Sequence, residues 1–221
     1  MNKNTLLFER YETQALVWPR SGRHILAQFD DDTIVVYQAY RPEIGHFAAQ
    51  NGRFGGAFSF ARMTWIKPNF LWMMFRSGWA TKEGQEHILA IRLRRSFFDE
   101  VLEAAVPSTF DATRFTNHDE WKTAVAQSDV RLQWDPDHDP NGNCLERRAV
   151  QLGLRDEMLR RFGQDELLSI EDITPFVIEQ REKRAGGLAA LQTPAEEIYA
   201  PIRLGAASAV GIEVVQPPLI S

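Results

Sequence analysis

Between Tyr37 and Trp79 the sequence sets cationic, polar and aromatic side chains in three short groups. Tyr37, Gln38, Tyr40 and Arg41 end one apolar run, Arg62, Thr64, Trp65 and Lys67 end a second, and Arg76 with Trp79 closes a third. Arginine offers a planar fork to phosphate oxygens, lysine a point charge, and tyrosine or tryptophan a face on which a flat base stacks. Such a set suits a nucleotide or dinucleotide. The plainer reading is that Trp and Tyr fill the core while Arg and Lys lie in water. What favours a site is the run from Phe70 to Phe75, too apolar to be exposed, which must hold its polar flanks close to the interior.

Two of the cations stand just before a proline that can open a helix, Arg41 before Pro42 and Lys67 before Pro68. Each therefore lies beside N–H groups left unpaired in a first helical turn, where a positive charge opposes the helix dipole unless an anion offsets it. Side chains that swing into water would avoid the conflict at little cost. The expectation is a cavity lined by at least two of Tyr40, Arg41, Arg62, Thr64, Lys67 and Arg76, with Gln133 or Gln151 as a neutral wall.

Other reactive residues give weaker patterns. Asp135, Asp137, Asp139 and Glu146 copy the carboxylate spacing of an EF-hand loop, but Pro140 stands where that loop needs glycine for its sharp turn. The flanks also read as strands, so a solvated hairpin loop is expected. The histidines at 24, 46, 87, 118 and 138 show no helix-face or finger spacing with one another or with Cys144, and no metal is expected. A nucleophile pair built on Cys144 is disfavoured by its acidic neighbours Asp139 and Glu146, which raise a thiol pKa. Phosphate-loop, nucleophile-elbow and zinc-protease signatures are absent.

The elements that position these residues follow from periodicity and turn residues. Strands are expected near 33–40, 87–93, 130–135 and 148–154, the last two as a hairpin with an enlarged loop around Asn141-Gly142. His24 to Phe29 and Thr33 to Tyr40, separated by Asp30 to Asp32, read as a hairpin or as one bulged strand. The stretch Ala57 to Ile66 alternates, placing Phe58, Phe60, Arg62 and Thr64 on one side if extended. Helices are expected from Pro42 to Asn51, over 68–75, from Phe97 to Ala105 behind a Ser96/Asp99 capping pair, after Asn117, from Arg155 to Phe162 and after Thr174-Pro175, with a short strand at Leu167 to Ile173. The fold class is α+β: a single domain over residues 1–200 with a central, largely antiparallel sheet flanked by helices, and a loosely attached tail over 201–221.

Composition limits the rest. The chain has 221 residues, 44% apolar and 25% charged, enough for a sizeable core, and its net charge of -5 supplies no overall basic field for a polyanion. Cys144 is the only cysteine, which rules out an internal disulfide, and the absence of a long apolar run points to a cytoplasmic protein without membrane contact. Oligomeric state is left open.

The pieces TIVVYQAYRPEI, RMTWIKPNFLWMMFRSGWA, QEHILAIRL, VRLQWDP, RRAVQLGLR and EDITPFV resemble a family known as domain of unknown function 4291. A fainter resemblance, carried by the order of strand, helix ending in Asn51-Gly52, aromatic segment, helix and the strand EHILAIRL, is to ADP-ribosyltransferase-like domains. That likeness implies NAD as cofactor, with Tyr37 to Arg41 at a first NAD-holding position, Arg62 to Thr64 near a second, and Glu166 or Glu171 as the catalytic carboxylate. None of these reproduces a His-Tyr-Glu or Arg-Ser-Glu set.

Two functions stay open. One is an NAD-using transferase that passes ADP-ribose to a nucleic-acid or protein acceptor, with Arg41 and Arg62 on phosphate, Tyr40 or Trp65 stacked on a ring, and Glu171 facing the ribose. The other is a non-catalytic module that holds RNA, a nucleotide or a protein partner on the same strip.

Overall fold

The structure, a computed structural model, describes residues 5–212. Its first half runs through β1 (Phe8–Arg10), α1 (Tyr11–Ala15), β2 (Gly22–Arg23), β3 (Leu26–Ala27), β4 (Thr33–Tyr40), α2 (Pro42–Asn51), β5 (Thr64–Ile66), α3 (Phe70–Ser77) and β6 (His87–Arg94). The second half adds α4 (Arg95–Glu103), β7 (Ala105–Pro107), α5 (His118–Gln127), β8 (Val130–His138), β9 (Cys144–Leu154), α6 (Asp156–Gln164), β10 (Leu167–Asp172), α7 (Thr174–Ala185), β11 (Gln192–Pro194), β12 (Glu197–Ile198) and α8 (Leu204–Val210). This is an α+β protein. Among the described residues no helix is long and apolar enough to cross a membrane.

Two sheets carry the fold. The antiparallel sheet β10-β6-β4 and the mixed sheet β2-β9-β8-β7, to which β5 adds on the open side of β9, meet at one backbone bridge between Tyr37 and Lys67. Alternation along β4 sends Ile34 and Val36 to one face and Val35 and Tyr37 to the other. The first face builds the larger core, with Leu89, Ile91 and Leu93 of β6, Val130 and Leu132 of β8, Val150, Leu152 and Leu154 of β9, and Phe97, Phe98, Val101 and Leu102 of α4. The second packs on α3 and α7 through Phe70, Leu71, Met73, Met74 and Val177.

α3 is sealed inside over most of its length, since Phe70 to Met74 are all buried and Phe75 and Arg76 reach solvent. Each such large side chain contributes roughly 1.5–3 kcal/mol by leaving water. Its start is capped from within: Asn69 accepts from Trp72 N, and the buried Glu196 accepts from Phe70 N at 2.6 Å and from Asn69 Nδ2 at 3.2 Å. The helix ends where Gly78 turns left-handed at φ 60.

Several expectations are corrected. The Ala57 to Ile66 stretch is extended only from Thr64, because turns over the preceding residues fold Phe58 back onto Phe54. Only one bridge, Phe29 with Ile34, joins the proposed first hairpin, since β3 pairs instead with β12. Asp99 does not cap α4; it is buried and accepts from the Tyr199 hydroxyl, Ile202 N and Arg203 N. Those bonds tie down residues 201–212, which were expected to be loose, and α8 buries Ala206 and Val210 against α4 and β7, where small side chains permit close approach. The remainder of that stretch, 213–221, lies outside the described residues.

Candidate functional site

The bridge between Tyr37 and Lys67 creates a cleft because the two strands part immediately beyond it. Tyr37 N donates to Lys67 O at 2.7 Å and Lys67 N to Tyr37 O at 3.3 Å, but β5 then turns away to pair with β9, Thr64 opposite Leu154 and Ile66 opposite Leu152. Gln38 spans the gap, its Nε2 donating to Thr64 Oγ1 at 2.8 Å and Trp65 O at 3.1 Å. Tyr40 shares the same Thr64 hydroxyl at 2.7 Å. The cavity above this junction has a volume of about 410 Å³ and takes its walls from Tyr40, Trp65, Arg76 and the cross-strand pair Gln133 and Gln151. That size suits one small-molecule ligand.

Lys67 dominates the electrostatics. Its residue is only 4% exposed, it lines the cavity, and its ammonium has no hydrogen-bond or ion-pair partner among the described residues. Burial, aided by the nearby positive charge of Arg76, lowers its pKa from 10.5 to about 8, and Asp135 opposes the shift. Asp135 is itself held by both wall glutamines, Gln133 Nε2 to Oδ1 at 2.8 Å and Gln151 Nε2 to Oδ2 at 2.7 Å. Gln38 Oε1 is a buried atom without a hydrogen-bond partner. Burial pushes the Tyr40 phenol well above its ordinary range, so it stays neutral and serves as a hydrogen-bonding group.

Of the residues singled out from sequence, Gln38, Tyr40, Thr64, Trp65, Lys67 and Arg76 line this cavity. Arg41 and Arg62 line a neighbouring one of about 390 Å³ that shares Tyr40, Met63 and Thr64 with it. Tyr37 is on the opposite face of β4, fully buried against Phe70 with its hydroxyl unpartnered. The helix-start argument takes a different form. The carboxylate beside the first turn of α3 is the protein's own Glu196, and the exposed Arg41 pairs with Glu43 at 3.2 Å. Preference for an anion therefore rests on Lys67 and Arg76, not on helix dipoles.

Neither candidate catalytic glutamate reaches the cleft. Glu171 pairs across the sheet with Ala90, which in turn pairs with Tyr37, so it belongs to the face opposite Tyr40, beside Arg92. Burial raises its pKa and Arg92 lowers it. Glu166 is at the other end of the strands, in ion pairs with Arg161 at 2.8 Å and Arg94 at 3.4 Å. The carboxylate that acts on Lys67 is Asp135, noted in the sequence only as part of an EF-hand-like spacing that Pro140 argued against.

That pattern is dispersed by the fold. Asp137 forms a buried pair with Arg147 at 2.6 Å, and Asp139 folds its own loop by accepting from Asn141 N and Asn143 N. Cys144 is exposed, with its Sγ 3.5 Å from Nε2 of His138, a ring otherwise buried in a stack with Phe75 and Trp72. Ala39, Met63, Met73 and Gln85 complete the cavity lining. Gln133 and Gln151, expected from the sequence as a neutral wall, both line the cavity.

No curated protein matches the chain. Residues 24–199, the greater part of the chain, match the family described as Domain of unknown function (DUF4291), and the protein belongs to that family.

Proposed function

We propose that the cleft binds a phosphate-bearing small molecule of the nucleotide or dinucleotide class, NAD among them. The observation that carries this reading is Lys67: a buried lysine whose ammonium, unpaired among the described residues, opens onto the cavity beside Arg76. A buried charge costs several kcal/mol unless something compensates it, and a phosphate would supply the missing partner. Trp65 and Tyr40 give apolar area for a ring, and the amides of Gln38, Gln133 and Gln151 give neutral polar contacts. Arg41 and Arg62, in the adjoining cavity, are placed for a second phosphate of an extended ligand. The cavity's size, about 410 Å³, favours a small molecule over a long RNA strand or a protein surface, which would need a continuous basic groove.

ADP-ribose transfer asks for one more group, a carboxylate facing the ribose. With Glu171 and Glu166 elsewhere, that role would fall to Asp135, so the transferase reading rests on it and the binding-module reading does not. Calorimetric titration with NAD, ADP and inorganic phosphate tests the common part: binding that weakens with salt and collapses in Lys67→Met is expected, and no heat at millimolar concentrations would refute it. Nicotinamide release from NAD, lost in Asp135→Asn, would select the transferase; tight binding without release would select the module.

A further inference from the structure

We propose that His46, His87 and Asp172 form a binding site for a divalent transition-metal ion, zinc foremost. These residues come from α2, the start of β6 and the end of β10, and one ligand atom from each lies within 4.8 Å of the other two. His87 Nδ1 and Asp172 Oδ2 are 3.1 Å apart, and the His46 and His87 rings lie 4.2 Å centroid to centroid at 78°. Zinc binds imidazole and carboxylate at about 2.0–2.2 Å, which sets neighbouring tetrahedral ligand atoms roughly 3.3–3.6 Å apart. The His87–Asp172 pair is near that spacing already. His46 is exposed, so its ring can turn the remaining distance without disturbing the core.

The surroundings hold the other two ligands in place. Asp172 Oδ1 accepts from Thr174 N at 3.0 Å and from the Thr174 hydroxyl, which itself accepts from Ile88 N at 2.9 Å; Oδ2 is left to the cluster. Such outer hydrogen bonds orient ligating carboxylates in metal sites. α2 approaches β6 closely because residue 45 is glycine, where a Cβ would stand 2.5 Å from the His87 Cβ. Two imidazoles and one carboxylate select a borderline ion such as zinc over magnesium or calcium, which prefer sets made of oxygen. Three protein ligands, one of them at the surface, leave the fourth position to water, as in substrate-accessible sites and not in closed structural ones.

The test uses full-length protein stripped with a chelator, titrated calorimetrically with zinc and, for its visible ligand-field bands, with cobalt. One ion per chain and tetrahedral cobalt bands are expected. His46→Ala should weaken zinc by at least tenfold without changing the melting temperature of the stripped protein, and Asp172→Asn should do the same to affinity. Cys144→Ser, which removes the separate sulfur–imidazole pair with His138, should leave binding intact. No uptake, uptake unchanged in both ligand variants, or loss in Cys144→Ser instead would overturn the proposal.

Discussion

Replacing Lys67 with methionine should make the ligand-free protein more stable while it damages the cleft. In the folded chain the ammonium is 4% exposed, and burial takes its pKa from 10.5 to about 8. At about 1.36 kcal/mol per pKa unit, keeping that proton in the folded state costs roughly 3 kcal/mol below pH 8. Methionine has a similar length and no charge, so it removes the cost and keeps most of the packing. The sign with pH follows from linkage. Between about pH 8 and 10.5 the unfolded lysine still binds a proton that the folded one has released, so wild-type stability relative to the variant rises across that window and the gap closes near its upper end. Urea unfolding of both proteins at pH 7, 9 and 10.5 measures this. For ligand binding the effect reverses, since a charge-assisted hydrogen bond to phosphate is worth about 1.5–3 kcal/mol, roughly tenfold to 150-fold in Kd. A variant no more stable than wild type at pH 7, with no change in the difference up to pH 10.5, would refute the view of Lys67 as a buried, uncompensated cation.

Thr64→Val should leave the Gln38 amide and the Tyr40 hydroxyl without the oxygen they share, costing about 1–3 kcal/mol in urea unfolding and loosening the junction of β4 with β5; a neutral change would mean that water replaces the hydroxyl. Arg147→Met strands the buried carboxylate of Asp137, whose pKa burial already raises, and should cost about 3–5 kcal/mol, read as a lower melting temperature. Asp137→Asn with Arg147→Met should recover part of that loss, and a double variant no better than the single one would show that packing, not charge, is at stake.

The sequence by itself determined the pieces whose signals are local. Continuous apolar runs marked β4 and β6, which are buried on both faces, and alternation marked β8 and β9, where one residue in two must face a core whatever that core contains. The unbroken apolar run of α3 announced its burial, and Pro42 and Thr174-Pro175 placed helix starts, because missing N–H groups and a fixed φ act within a turn. The same local view identified Gln38, Tyr40, Thr64, Trp65, Lys67 and Arg76 as polar residues at the ends of apolar elements.

Only the tertiary structure decided which of them meet. The cleft exists because β5 leaves β4 for β9 after a single bridge, a choice of partner made between segments some ninety residues apart. Register then settled faces: one residue along β4 separates Tyr37, buried with Phe70, from Gln38 in the cavity, and the pairing of Glu171 with Ala90 turned it to the far side. Glu196 reached the start of α3 from near the end of the matched region and supplied the hydrogen-bond acceptor that local reasoning had left to a ligand. His46, His87 and Asp172 lie on three elements whose approach depends on helix packing over β6 and β10, so no spacing along the chain could have joined them. The physical reason is common to all four cases: hydrophobic patterning is nearly indifferent to which apolar surface it meets, whereas a site depends on the exact partner and register of each strand.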